Sequence, residues 1–253
     1  MTISRAISEA MTNASWIRRM FEQGLRLKRE LGVENVADMA LGNPVMEPPA
    51  RVVERMKALV ADDTAGMHRY MPNRGFRSTR EAVAAHLEKH TGVAYTGEDL
   101  VMTVGAGGAL NVFFKALLDP GDEVIALAPY FVEYRFYVAN HGGKLVLVDT
   151  DEQFKPDVAA IEAAITERTR AVVVNAPNNP TGVIYSGEDY DALAAMLTAK
   201  SQELGRPIPL VSDEPYRAIT YDGVQVPWPV NHYPDTVHIT SFSKDLAMPG
   251  ERI

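Results

Sequence analysis

Apolar residues between positions 12 and 31 recur at helical spacing, with Trp16, Ile17, Met20, Phe21, Leu25 and Leu31 set among Arg18, Arg19, Glu22, Arg26 and Lys28. A period near that of the α-helix predicts an amphipathic helix with one apolar stripe. A second helix is expected from Pro49 to Val60, where Val52, Val53, Met56, Leu59 and Val60 share a face. A third runs from Ser78 to His90, after a loop at 66–74. From Leu100 the pattern changes. Short β-branched runs at 100–104, 123–128, 144–149, 171–175, 208–213 and 237–241 alternate with helical stretches near 108–118, 131–141, 157–165 and 187–204. Strands that are apolar on both faces and separated by helices predict a mostly parallel sheet covered on both sides. Asp119-Pro120-Gly121-Asp122 marks a break from helix to strand. There is no internal repeat at solenoid periods and no low-complexity tract.

In such sheets ligands bind beyond the carboxyl ends of the strands, so the residues that follow each run carry the chemistry. They are Gly105 to Gly108, Pro129 to Phe131, Asn175 to Gly182, Asp213 to Tyr216 and Ser241 to Lys244; only the run ending at Asp149 is plain. Gly105-Ala106-Gly107-Gly108 reads equally as an anion-holding turn with open backbone amides and as a tight strand-to-helix turn. It is not a dinucleotide fingerprint, because Leu110 stands where the third glycine belongs, and no GxxxxGK[ST] occurs anywhere. Ser241-Phe242-Ser243-Lys244 has the S-x-x-K form of penicillin-binding enzymes, but Ser212-Asp213 is followed by Glu214 and there is no KTG. The other chemistry open to it is a lysine amine that forms a Schiff base with a carbonyl cofactor.

Composition narrows the classes. The 253 residues hold 25 Lys and Arg against 33 Asp and Glu, a net charge of −8, which argues against affinity for a phosphate backbone. Hydrophobic residues at 46% and charged residues at 23% are those of a folded soluble protein, long enough for a sizeable core. The absence of cysteine rules out disulfides, thiolate metal sites and thiol nucleophiles. No apolar stretch is long enough for a membrane span and the first residues have no apolar core of a leader, so a soluble, cytoplasmic protein is expected. His86 and His90, four apart on the third helix, have no third ligand in view and read as a solvated face; no metal is expected.

The ordered set of motifs resembles one family. Asn179 in NNPTG, Asp213 and Tyr216 in SDEPY, Lys244 in SFSK and Arg252 in PGERI are similar to the pyridoxal-phosphate enzymes of the aspartate aminotransferase-like group, from about Leu41 to Ile253. The resemblance implies an α/β fold, a three-layer α/β/α large domain with a mostly parallel central sheet (fold type I). It implies a division into an N-terminal arm with part of a small domain at 1–45 and a large cofactor-binding domain at 46–253. It assigns Lys244 to the Schiff base with pyridoxal 5'-phosphate and Asp213 to the protonated ring nitrogen. Asn179 and Tyr216 fall to the phenolic oxygen, and Phe131 to the ring face. The phosphate falls to Ala106, Gly107, Ser241 and Arg252, with Tyr70 reaching the cofactor of a partner subunit, hence a homodimer with shared sites. Gly42 in LGNP and Asn179 fall to the substrate.

Three positions depart from the family pattern. Gly107 stands where Ser or Thr is frequent, so backbone replaces one side-chain contact to phosphate; Phe131 replaces Trp or Tyr; and Thr79 replaces an apolar residue. The activity implied is transamination between an L-amino acid and a 2-oxo acid. Carbon–sulfur lyases and cyclopropane-forming synthases share the same motifs. Ile253 directly follows the phosphate arginine, whereas the family continues into a C-terminal small domain with the arginine for the substrate's α-carboxylate. A truncated chain, weakly active or only cofactor-binding, is expected.

Overall fold

Five strands pair into one sheet: β1 (Glu123–Ala128), β2 (Lys144–Asp149), β3 (Thr169–Asn175), β4 (Leu210–Asp213) and β5 (Thr236–Ile239). Their spatial order is β2-β1-β3-β4-β5 and every pairing is parallel. The computed structural model describes residues 3–253 other than 6, 10–15, 40 and 41, and no side chains at 16–18. The sequence expectations at 12–15 and Leu41 lie outside these described residues.

Successive strand residues face opposite sides of a sheet, and here each side has its own apolar cluster. Ile125, Leu127, Val172 and Val174 pack with Ile161, Leu193 and Leu197. These last come from α6 (Val158–Ala164) and α7 (Gly187–Leu204). Val124, Ala126, Ala171 and Val173 pack instead with Leu110, Phe114, Tyr134 and Val138, from α4 (Gly105–Leu117) and α5 (Tyr134–Ala139). Two helical layers thus enclose the sheet, the three-layer α/β/α arrangement read from the sequence. Burying each Leu, Ile or Val fully stabilises by roughly 1.5–3 kcal/mol, so the two clusters supply the main driving force.

Local signals set the ends of these elements. Ser186 and Asp189 form a capping box at the start of α7, and Gly205 closes it in the left-handed region at φ 65°. In the Asp119–Asp122 turn, Asp122 Oδ2 accepts from the Asp119 N–H at 2.9 Å, while Gly121 supplies φ 90°.

The chain separates into two units, residues 1–46 and 47–253. In the first, α1 (Trp16–Leu31) is tied to the following segment by Lys28 Nζ on Asp38 Oδ2 at 2.8 Å. In the second, α2 (Ala50–Val60) and α3 (Arg77–Thr91) precede α4. Among the described residues, no helix is long and apolar enough to cross a membrane.

The run at 100–104 is not a strand. Val101 and Val104 are exposed, and a backbone bond from the Met102 N–H to the Arg74 carbonyl at 3.1 Å joins the run to a loop rather than to a strand. β-Branched composition favours extended backbone, but a strand also needs a neighbour to pair with. Helix α4 begins at Gly105, earlier than expected, so the glycines form its first turn. Helix α5 is shorter than the expected 131–141.

Candidate active site

Strand β4 is buried along its length and ends at Asp213, which is 4% exposed. One carboxylate oxygen, Oδ2, accepts a 2.6 Å hydrogen bond from the Tyr134 hydroxyl. The other, Oδ1, is buried with no hydrogen-bond partner among the described residues. Burial pushes the Asp213 carboxyl up to about 6, with the nearby Glu214 charge adding to the rise and the Tyr134 bond and His238 opposing it. An unpartnered carboxylate oxygen in such a place is costly unless a donor or cation meets it.

Strand β3 ends in register beside it, with Asn175 paired to Asp213. Asn175 Nδ2 donates to the Asp213 carbonyl at 2.7 Å, and its Oδ1 accepts from the Asn179 N–H at 2.7 Å. One buried amide therefore fixes both strand end and loop. Asn178 Oδ1 holds the loop further, accepting from the Thr181 N–H at 3.0 Å and hydroxyl at 2.9 Å. So placed, Asn179 Nδ2 donates to the Tyr216 hydroxyl oxygen at 3.2 Å.

Tyr216 sits on a loop fastened from below. Glu214, fully buried, accepts from Ser212 Oγ at 2.5 Å and from the Arg217 guanidinium, with His238 Nδ1 3.3 Å away. Burial alone would raise the Glu214 carboxyl, but His238, Arg217 and Ser212 together bring it below the usual range. Arg217 also lies over the Trp228 ring at 3.6 Å and donates to the carbonyls of Val226 and Pro227, each at 2.7 Å.

Beyond β5, Ser241 is buried and caps α8 (Phe242–Asp245), which carries Lys244. Lys244 Nζ is 5.9 Å from the centre of the Tyr216 ring, and burial lowers the pKa of its amine. At the start of α4, a Cβ on Gly105 would lie 3.5 Å from Arg252 Nη2, so the guanidinium rests against the first turn. Arg252 Nη1 donates to the Pro249 carbonyl at 3.1 Å.

Several of these groups meet at one cavity of about 200 Å³. Ala106, Gly107, Phe131, Asn179, Asp213, Tyr216, Ser241, Lys244 and Arg252, all singled out from the sequence, line it. Tyr70 does not; it is fully exposed on its loop. Gly42 lies in the first unit and is exposed. The structure adds Tyr134 and Tyr137, outside the stretches that follow the strands, and gives Asn175, the first residue of its stretch, a definite part. Their signal was faint: Asn175 opens the stretch that ends in NNPTG, and both tyrosines follow Phe131 in a run rich in aromatics. Chemically the cavity offers a carboxylate with one oxygen open to a donor, an amine whose basicity burial lowers, and an arginine beside a helix N-terminus. Among the described residues, no group of three or more His, Asp or Glu is placed to hold a metal ion.

Known proteins share this architecture. An aminotransferase from Eubacterium rectale has a solved structure that superposes with a TM-score of 0.93 at 41% identity, covering 100% of this chain and 64% of that one. For an aspartate aminotransferase mutant of Thermus thermophilus the TM-score is 0.86 at 37% identity, covering 100% of this chain and 63% of that one. The probable aspartate/prephenate aminotransferase of Thermus aquaticus is 41% identical over 91% of this chain, which spans 58% of that protein's length. The family model "Aminotransferase class I and II" matches residues 34–253. That match takes in every residue bordering the cavity, and the chain belongs to the class I and II aminotransferases.

Proposed function

We propose that the protein is a pyridoxal 5'-phosphate-dependent aminotransferase, moving an amino group between an L-amino acid and a 2-oxo acid. The observation that carries this is Asp213 Oδ1, a buried carboxylate oxygen without a partner among the described residues, in a cavity shared with the Lys244 amine and Arg252. The donor set fits the cofactor at each end. Asp213 would hold the protonated ring nitrogen at Oδ1 while Tyr134 fixes Oδ2. Asn179 and Tyr216 would hold the phenolic oxygen and Phe131 would cover a ring face. Ser241, Arg252 and the first-turn amides of Ala106 and Gly107 would hold the phosphate.

When bound, the cofactor supplies a protonated, electron-withdrawing ring that delocalises the electron pair left as a proton leaves the substrate's α-carbon. The protein's part is to hold and move protons. Lys244 would hold the carbonyl end through Nζ; once the substrate's own amine displaces it there, the released Lys244 amine would take the α-proton and return it to the acceptor carbon. Burial keeps a larger share of that amine neutral, as a base requires. Asn179 would also contact the substrate, and Gly42 is carried over from the family resemblance as the loop glycine near the substrate carboxylate. Tyr70, exposed beside Arg69 and Arg74, is assigned to the phosphate end of a second copy's cavity in a homodimer.

Borohydride trapping tests this reading. With pyridoxal 5'-phosphate present, peptide mapping is expected to place one irreversible label on Lys244, and Lys244→Ala is expected to lose both the label and transamination. A label on another lysine, or turnover that survives in Lys244→Ala, would sink it.

A further inference from the structure

Two glycines in the first turn of α4 leave room that two polar side chains take up. A Cβ on Gly105 would lie 3.5 Å from Arg252 Nη2, and a Cβ on Gly107 would lie 2.9 Å from the Tyr137 hydroxyl oxygen. The second distance is shorter than any ordinary carbon contact, so this hydroxyl approaches the helix only because residue 107 has no side chain. Tyr137 projects from α5 and borders the same cavity as Ala106, Ser241 and Arg252. Its neighbour in the fold, Tyr134, spends its hydroxyl on Asp213. The Tyr137 hydroxyl makes no hydrogen bond to the described residues.

We propose that Tyr137 is a phosphate ligand, donating its phenolic hydrogen to the cofactor's phosphate beside Arg252 and the open amides of α4. This inference rests on the cofactor reading above and extends it to a residue outside the motifs. The chemistry suits the place: a phosphate dianion offers several acceptor oxygens, an arginine fork and backbone amides meet some of them, and a neutral phenol adds a donor without adding charge. Burial raises the phenol's pKa, which keeps its hydrogen in place at neutral pH. Gly107 then has a positive role. It makes room for a donor that arrives from a different helix.

The test compares pyridoxal 5'-phosphate with pyridoxal, which lacks the phosphate, by titrating tryptophan fluorescence of the cofactor-free protein. Tyr137→Phe is expected to weaken pyridoxal 5'-phosphate binding by about 10- to 100-fold, the worth of one hydrogen bond to a charged group, and to leave pyridoxal unchanged. Inorganic phosphate, as a competitor, should lose potency in the same variant. Adding Gly107→Ser to Tyr137→Phe should recover part of the loss, since the serine Cβ then meets no hydroxyl oxygen. Equal weakening for both aldehydes, or no weakening for either, overturns the assignment of Tyr137 while the cofactor reading stands. If the unaltered protein binds neither aldehyde, the cofactor reading itself fails, and this inference with it.

Discussion

Asp213→Asn offers a sharp test, because the same burial that readies Asp213 for a cofactor should make it a burden without one. Its carboxyl titrates at about 6 in the fold against an ordinary value of 3.8. At about 1.4 kcal/mol for each tenfold change, ionising it costs the folded state about 3 kcal/mol more than the unfolded chain. The sign follows from the raised value. The native state holds a proton that the unfolded state releases, so this contribution is fully present below 3.8 and is lost as pH rises through about 6. Asparagine does not titrate. Its carbonyl can still accept the Tyr134 hydroxyl, but its Nδ2 would face the place where Oδ1 has no partner, a pH-independent penalty of about 1–3 kcal/mol. Urea unfolding of the cofactor-free protein, followed by circular dichroism near pH 4 and near pH 8, separates the two effects. The offset between variant and parent should shift by about 2 kcal/mol in favour of the variant from the acid to the alkaline end. Parallel stability curves for the two proteins would refute the reasoning. On the proposed reading, in which Asp213 meets the cofactor's ring nitrogen, the order should reverse in the presence of pyridoxal 5'-phosphate, since the variant lacks that charge.

Arg217→Ala takes a guanidinium partner from the buried Glu214 carboxylate and should cost about 3–5 kcal/mol in urea unfolding. Because the Glu214 carboxyl is held below its usual range, its contribution to the parent's stability is present above the unfolded value and declines on acidification. The variant's deficit should therefore shrink in acid. Ser186→Ala removes the side-chain half of the α7 capping box and should lower stability by about 1 kcal/mol, with cofactor binding unchanged in the same titration.

Much of the large unit could be read from the chain because its signals are local. Strands β1 and β2 and helix α7 lie where the apolar runs, the Asp119–Asp122 turn and the Ser186–Asp189 box place them. The 100–104 run shows the limit: its composition favours extended backbone, but pairing depends on a neighbour that no local pattern reveals. The site divides in the same way. Asp213 closes a strand and Ser241 and Lys244 follow one, and parallel topology brings strand ends together, so they could be grouped from sequence. Tyr134, Asn175 and Tyr137 act through contacts between elements far apart in the chain, down to the closeness of one hydroxyl to one glycine.

The alignment of the strand ends has a consequence for how the protein can change. Asn175, Asp213 and Ile239 stand in one register, as a rank across β3, β4 and β5, with neighbouring strands about 4.8 Å apart. Deleting one residue inside β4 would turn Asp213 to the opposite side of the sheet, and deleting two would draw it back by about 6.6 Å, out of reach of the Tyr134 hydroxyl. Length variation is thus barred from the strands and confined to the connections that follow them, where residues can be added or lost without disturbing the rank. New substrate preferences in this scaffold should arise by rebuilding loops, while the spacing of the chemical groups stays set by the sheet.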